Sequence, residues 1–314
     1  MTITKEDLLE ARYRTEKYIH NTPVLSSSTF NSAIGGSIFF KCENFQKAGA
    51  FKSRGAINAV FSISSQEISK GVATHSSGNH AAALARAAYL RNTKAWIVMP
   101  ENAPKVKIEA VKNYGGTIIF CKPTLSARES ALQEIIDKTG AIEIHPYNNE
   151  KVIAGQSTAV QEILEVIPRP EIIITPVGGG GLLSGSALAA HHFSPGTKVF
   201  AAEPLNANDA FLSFTSGTFI PSVNPQTIAD GLLTSLGDIT FPIIQNHVNK
   251  IITTDERSII KAMKWIWERM KLVIEPSSAV PVAAIFNNPE IFQNKTTVVV
   301  LSGGNVDLTK LPWQ

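Results

Sequence analysis

The sequence predicts an α/β protein with mostly parallel sheets, and three observations carry that prediction. Short β-branched runs alternate with stretches of helical character along the whole chain. Glycine- and serine-rich loops at residues 75–78, 178–181 and 302–304 each follow a strand candidate, and ligands of parallel sheets sit beyond the carboxyl ends of strands. The chain has 314 residues, 44% hydrophobic and 18% charged. That is enough for a sizeable core in one or two domains.

Taken in order, the first strand is the apolar run at 38–41, followed by a helix over 53–62. A short strand at 72–74 leads into an alanine-rich helix over 79–91. Strands at 95–98 and 117–120 flank a helix over 105–114, and a helix over 125–138 closes this stretch. The helix over 154–166 then precedes the isoleucine strand at 172–174, and a helix over 182–192 precedes a strand at 198–201. Helices over 255–270 and 278–286 lead to the last strand at 296–301. No repeat or low-complexity tract interrupts the pattern, and the loop from 216 to 225 is the least regular stretch.

Several function classes are disfavoured by composition. The net charge of +3, from 29 basic and 26 acidic residues, is too mild and dispersed for nucleic acid or an anionic membrane. The apolar runs are too short for a transmembrane helix, and the first residues carry no apolar signal core. Cys42 and Cys121 are far apart, which favours reduced thiols and a cytoplasmic protein over a disulfide framework. The seven histidines show no metal-ligand spacing, and His191 and His192, being adjacent on a helix, are poor joint ligands.

The most informative segment is Pro176-Val-Gly-Gly-Gly-Gly-Leu182. A strand that ends in glycines and opens a helix presents bare N–H groups at the positive end of the helix dipole, a cradle for phosphate. The run fits neither the dinucleotide nor the P-loop template, so another phosphorylated ligand is required. Ala50-Phe-Lys-Ser-Arg-Gly55 supplies a partner. Lys52 stands among small and apolar residues at a helix start, where a desolvated amine loses pKa and can form a Schiff base. A Schiff-base lysine together with a phosphate cradle points to pyridoxal phosphate.

At these residues the chain resembles the fold-type II pyridoxal-phosphate enzymes, the tryptophan-synthase-β-like group. Within that group it is most similar to the serine racemase and serine/threonine dehydratase family. The matching segments are Asn44 to Lys52, Thr74-His-Ser-Ser-Gly-Asn-His80, Ile153-Ala-Gly-Gln156, the tetraglycine, Ala202-Glu-Pro204 and Leu301-Ser-Gly-Gly-Asn-Val-Asp307. They cover nearly the whole chain in the family's order. The resemblance implies a large cofactor-binding domain (residues 1–70 and 149–314), a small mobile substrate domain (71–148), and the cofactor in the cleft between them. Only a short tail follows Asp307, so the appended regulatory domain of some threonine dehydratases is not expected. A homodimer is implied.

The resemblance also implies roles. Lys52 would hold the cofactor and act as base at the substrate α-carbon. Phe51 and Asn79 would flank the cofactor ring. Gly178, Gly179, Gly180, Gly181 and Leu182 would bind its phosphate. Ser302 would meet the pyridine nitrogen. A neutral hydroxyl there stabilises a pyridinium poorly, which disfavours transamination and suits β-elimination or brief proton exchange. Ser76, Ser77, Gly78, Asn79 and His80 would seat the substrate carboxylate, with Arg128 approaching it. Ser77 would lie on the face opposite Lys52, and a racemase needs proton-transfer groups on both faces. Many threonine dehydratases carry alanine there. Tyr147 follows His145-Pro146, where animal racemases have asparagine, which leaves the substrate open.

Glu203 and Asp209, with the Ala207 carbonyl, match a divalent-metal site suited to Mg²⁺ or Ca²⁺. Ser27, Ser28, Lys47 and Tyr114 match an ATP effector site, although Ala48 replaces a threonine there. The expected activity is serine racemisation with β-elimination of L-serine or L-threonine to keto acid and ammonia. The alternatives are a threonine or 3-hydroxyaspartate dehydratase without significant racemisation, and a non-catalytic metabolite-binding protein. Retention of Lys52, Ser77 and Ser302 together argues against the last.

Overall fold

The computed structural model describes residues 3–103 and 105–313. Ten strands occur among the described residues: β1 (Val24–Ser26), β2 (Ser37–Cys42), β3 (Val72–His75), β4 (Ala95–Pro100), β5 (Thr117–Cys121), β6 (Ile142–Glu143), β7 (Ile172–Pro176), β8 (Lys198–Pro204), β9 (Lys250–Thr254) and β10 (Thr296–Leu301). They form two sheets. One has six strands in the order β1-β2-β10-β7-β8-β9, and the other has four in the order β5-β4-β3-β6. Every pairing is parallel except β1 with β2. The strands of the smaller sheet all fall between residues 72 and 143.

The expected strands are present, and three more appear. β1 and β6 are too short to show a pattern, and β9 is a β-branched run, Ile251-Ile-Thr-Thr254, preceded by a lysine. Five helices also went unexpected: Lys5–Thr15, Ser28–Ile34, Asp209–Ser216, Thr240–His247 and the single turn Pro289–Phe292. The helix expected over 154–166 starts earlier, at Glu150, because Asn149 caps it by accepting from the Val152 N–H. The stretch expected as one helix over 255–270 is an α-helix, Glu256–Trp265, that widens into a π-turn, Ile266–Met270.

β7 is buried along its whole length, as a central parallel strand covered on both faces must be. The main core lies against β2, β10, β7 and β8 and is closed by Val280, Val282, Ala283 and Ile285 of the helix Pro276–Asn287. The core of the smaller sheet joins Val72, Ile97 and Met99 to Ala81, Leu84 and Ala88 of the helix Asn79–Leu90. It also includes Ala56, Ile57 and Val60 from the helix Lys52–Ser62. That helix therefore packs on both halves of the molecule, and its first residue is Lys52.

Candidate active site

The carboxyl ends of β3, β7, β8 and β10 carry the sequence-expected residues. β10 ends at Leu301, so Ser302 opens the following loop. Its carbonyl accepts from the Phe51 N–H at 3.0 Å, which ties this loop to the start of the Lys52 helix. The Ser302 hydroxyl is buried and lies 3.1 Å from that of Ser278. Ser278 also donates to the Gly303 carbonyl at 2.7 Å and accepts from the Gly303 N–H at 2.7 Å.

Lys52 donates from Nζ to the Pro146 carbonyl at 2.8 Å, and its ammonium stands 5.1 Å from the Phe51 ring centroid. Burial lowers its pKa to about 8, against the pull of the Glu275 carboxylate. An amine that loses its proton this near neutrality is suited to condense with an aldehyde and then to accept a proton.

The tetraglycine follows β7 directly. Gly180 has φ +87°, a left-handed conformation that glycine adopts without strain, and the helix Gly181–Phe193 begins after it. The loop leaves no room for side chains on the protein side. A Cβ at Gly179 would fall 2.3 Å from Tyr147 Cδ1, and one at Gly178 would fall 2.8 Å from Leu232 Cα. Thr240 donates to the Gly179 carbonyl at 2.9 Å. That carbonyl is held away, and the helix-opening N–H groups remain as the anion-binding side.

The loop after β3 begins with Ser76, whose N–H donates to the Val98 carbonyl at 3.0 Å and whose hydroxyl accepts from the Gly78 N–H at 3.3 Å. Ser77 is half-buried on this loop, and Asn79 opens the next helix. Asn79 Nδ2 donates to both oxygens of Glu275, at 2.8 and 3.1 Å, and its Oδ1 accepts from Asn305 at 3.0 Å. His80 is buried with Nε2 3.0 Å from the Ile144 carbonyl, and burial pushes its pKa down to about 3 with the Lys52 charge adding. Burial thus favours the neutral imidazole. Arg128 is half-exposed on the helix Leu125–Thr139, and after burial its charge is the next cause that lowers the pKa of His75 at the end of β3.

Some participants carry no motif. Glu275 precedes the helix Pro276–Asn287, yet its carboxylate makes no cap and reaches Asn79 instead. Burial raises its pKa to about 7, and the Asp230 charge adds. The Glu275-Pro276 pair marks a helix start, since proline suits the first helical position, but nothing local says that the carboxylate faces a cleft. Ser278 likewise meets the site only through the tertiary fold, whereas Asn305 and Tyr147 lie in segments already marked in the sequence.

Glu203 is the penultimate residue of β8 and is fully buried. It accepts from the Ala210 and Phe211 N–H groups at 3.0 and 2.8 Å, and burial pushes its carboxyl up to about 8. Asp209 is 5% exposed, and neither carboxylate oxygen has a hydrogen-bond partner of good geometry. Its pKa is raised to about 6 by burial, with the Ser222 hydroxyl opposing. Ala207 is buried in the turn between them. Two desolvated carboxylates, one of them (Asp209) with both oxygens orphaned, beside a turn carbonyl fit a hard cation. Among the described residues no cluster of three or more His, Cys, Asp or Glu forms a ready metal site. The rings of His191, His192 and His247 do meet, at 4.9 and 4.6 Å. Of the residues expected at a nucleotide site, Ser27 caps the helix Ser28–Ile34, Lys47 lies in the turn before Lys52, and Tyr114 packs on the core of the smaller sheet.

Comparison with known proteins agrees with this geometry. The pyridoxal-phosphate dependent enzyme family matches residues 15–303. A serine racemase of Dictyostelium discoideum is 50% identical over 316 residues, 99% of this chain and 97% of its own length. A beta-hydroxyaspartate dehydratase of Paracoccus denitrificans is 47% identical over 310 residues, covering 99% and 98%. The solved structure of maize serine racemase superposes with a TM-score of 0.95 at 44% identity, covering 97% of this chain and 94% of that one. The chain belongs to the pyridoxal-phosphate dependent enzymes, and its fold is that of the fold-type II group. No helix among the described residues is long and apolar enough to cross a membrane.

Proposed function

We propose that this member of the pyridoxal-phosphate dependent enzymes is a serine racemase that also eliminates water from L-serine or L-threonine, giving keto acid and ammonia. The observation that carries the reading is a half-buried amine of near-neutral pKa, Lys52, in the same site as a buried neutral hydroxyl, Ser302, and a glycine cradle. Pyridoxal phosphate, when bound, supplies an electron sink for the bond broken at the substrate α-carbon. Lys52 holds the cofactor and moves the α-proton on one face. The N–H groups of Gly178, Gly179, Gly180, Gly181 and Leu182 take its phosphate. Ser302, in contact with the Ser278 hydroxyl, would offer the ring nitrogen a hydroxyl and no carboxylate, which would favour elimination and proton exchange over transamination. Phe51 and Asn79 flank the ring, and Glu275 fixes the Asn79 amide.

The loop from Ser76 to His80 seats the substrate carboxylate, with Arg128 closing on it, and Ser77 moves the proton on the second face. Residues 71–148 form the small mobile domain that brings this loop to the larger remainder. Mg²⁺ or Ca²⁺ binds Glu203, Asp209 and the Ala207 carbonyl and relieves their desolvation. The active form is a homodimer, with ATP as an effector near Ser27, Ser28, Lys47 and Tyr114. A cytoplasmic location suits the two reduced cysteines.

The second reading is a 3-hydroxyaspartate dehydratase without significant racemisation, favoured by the 47% identity to the Paracoccus enzyme. Measuring keto acid and D-enantiomer side by side from L-serine, L-threonine and L-threo-3-hydroxyaspartate separates the two. The racemase reading expects D-serine from wild type and its loss in Ser77→Ala, with elimination from L-serine retained. Wild-type enzyme that makes keto acid but no D-serine sinks that reading in favour of the second.

A further inference from the structure

One ion pair crosses the mouth of the cleft and has no part in the roles above. Lys107 lies on the helix Lys105–Asn113, packed beside the smaller sheet, and its ammonium pairs with the Asp230 carboxylate. Asp230 begins the turn Asp230–Leu232 at the rim of the phosphate cradle. Leu232 Cα is the atom a side chain at Gly178 would strike, and the Gly231 N–H donates to Ser277 at 3.1 Å. The pair therefore joins the cofactor side of the cleft to the substrate side.

Lys107 also faces the substrate loop. A Cβ built on Gly78 would have Lys107 Nζ at 3.9 Å as its one neighbour within 4 Å among the described residues outside its own chain neighbours. The missing side chain of Gly78 leaves an open gap between the loop backbone and this ammonium. The two partners differ in exposure, 13% for Lys107 and 46% for Asp230. Water reaches the carboxylate, so its replacement by another carboxylate costs little desolvation, while the ammonium stays aimed at the loop. The charges of both residues also reach Glu275, which holds Asn79 at the head of the same loop. Arg128, another cation near the cleft, hydrogen-bonds only the Thr124 carbonyl among the described residues, and it is assigned to the α-carboxylate.

We propose that Lys107 is the specificity-determining cation for substrates with a second carboxylate, receiving the β-carboxylate of a 3-hydroxy dicarboxylic amino acid in exchange for Asp230. Asp230 is the built-in competitor. A substrate without that carboxylate leaves the Lys107–Asp230 pair intact, and a dicarboxylic one replaces it. This rests on the function proposed above and adds which residue weighs serine against hydroxyaspartate.

The test uses holoenzyme and the ratio of kcat/KM for L-threo-3-hydroxyaspartate to that for L-serine. In Lys107→Met the ratio is expected to fall about tenfold or more, because a buried carboxylate then lacks its cation. In Asp230→Asn, which frees Lys107, the ratio is expected to rise. Opposite signs in the two variants support the assignment. Equal losses on both substrates in both variants overturn it, since that is the behaviour of a pair that merely clamps the cleft. Thermal shift by succinate and propionate gives a readout apart from turnover. Succinate should stabilise wild type more than propionate does, and Lys107→Met should lose that difference. A difference that persists in Lys107→Met overturns the assignment. If wild type turns over neither amino acid, the proposed function fails, while the succinate measurement still judges Lys107.

Discussion

The helix Lys52–Ser62 carries two enclosed cations two residues apart, and their surroundings differ. Arg54 is fully buried and fully paired. It meets Glu43 through Nε and Nη2, both at 2.7 Å, and Glu162 through Nη1 and Nη2 at 2.8 and 2.7 Å, with Thr158 at 3.0 Å. Lys41 adds a second buried cation on Glu162 at 2.5 Å and donates to the Thr22 carbonyl at 2.7 Å. Two buried positive and two buried negative charges balance, and the Arg54 pKa is held above its ordinary value despite burial. Lys52 has one carbonyl for a partner, and its pKa falls. Glu275, Glu203 and Asp209 show the same pattern, with pKa values raised by burial and incompletely offset.

The difference teaches how to sort buried charge in this fold. A network that satisfies every donor and acceptor is structural and fixes where the helix sits. A buried charge left short of partners stores a desolvation cost that a cofactor, substrate or cation relieves. Arg54 therefore positions Lys52 without sharing its chemistry.

Removing a member of the satisfied network should have the largest effect on folding. Arg54→Met strands Glu43 and leaves Glu162 with only Lys41 and Arg12, and breaking a buried pair costs about 3–5 kcal/mol. Denaturant unfolding should show this loss with or without cofactor. A loss below about 1 kcal/mol would put the network outside the stability of the fold.

The desolvated carboxylates without a paired cation should behave oppositely and respond to pH. The folded pKa values of Glu203 and Asp209, about 8 and about 6, lie above their ordinary values of 4.5 and 3.8. The folded chain therefore holds more protons than the unfolded one, and stability falls as pH rises from about 4 to about 8. Magnesium should reverse the fall, by about 2.7 kcal/mol at a hundredfold excess over its dissociation constant. Glu203→Gln should flatten the pH slope of the chelated protein, and Asp209→Ala should lose the magnesium response. A melting temperature in Asp209→Ala that still rises with magnesium places the cation elsewhere.

The smallest expected effect concerns the cradle. Gly179→Val would drive a side chain into Tyr147, and the ring or the loop must shift. Pyridoxal phosphate affinity should fall at least about tenfold, the loss of roughly one good hydrogen bond to a charged group. Absorbance titration with the cofactor measures it, and unchanged affinity would move the phosphate to another loop.

Much of this architecture was legible in the sequence because parallel strands buried on both faces read as β-branched runs that alternate with helical stretches. The tetraglycine and Lys52 were legible for a similar reason: bare backbone at a helix start and an amine among apolar residues are local features. The remainder depends on long-range contact. Glu275 reaches Asn79 across 196 positions of chain, and Lys107 reaches Asp230 across 123. No spacing rule joins such pairs. β6 was missed because two residues cannot show a period, and the π-turn Ile266–Met270 because it continues an apolar helical pattern.

The central claim is that the under-satisfied cation of this helix, and not its paired neighbour, carries the chemistry. Borohydride reduction of the holoenzyme, followed by peptide mass mapping, tests it most directly. One pyridoxyl label is expected, on Lys52, with its absence in Lys52→Ala and no turnover of any amino acid by that variant. A label on any other lysine, or full activity in Lys52→Ala, would contradict it.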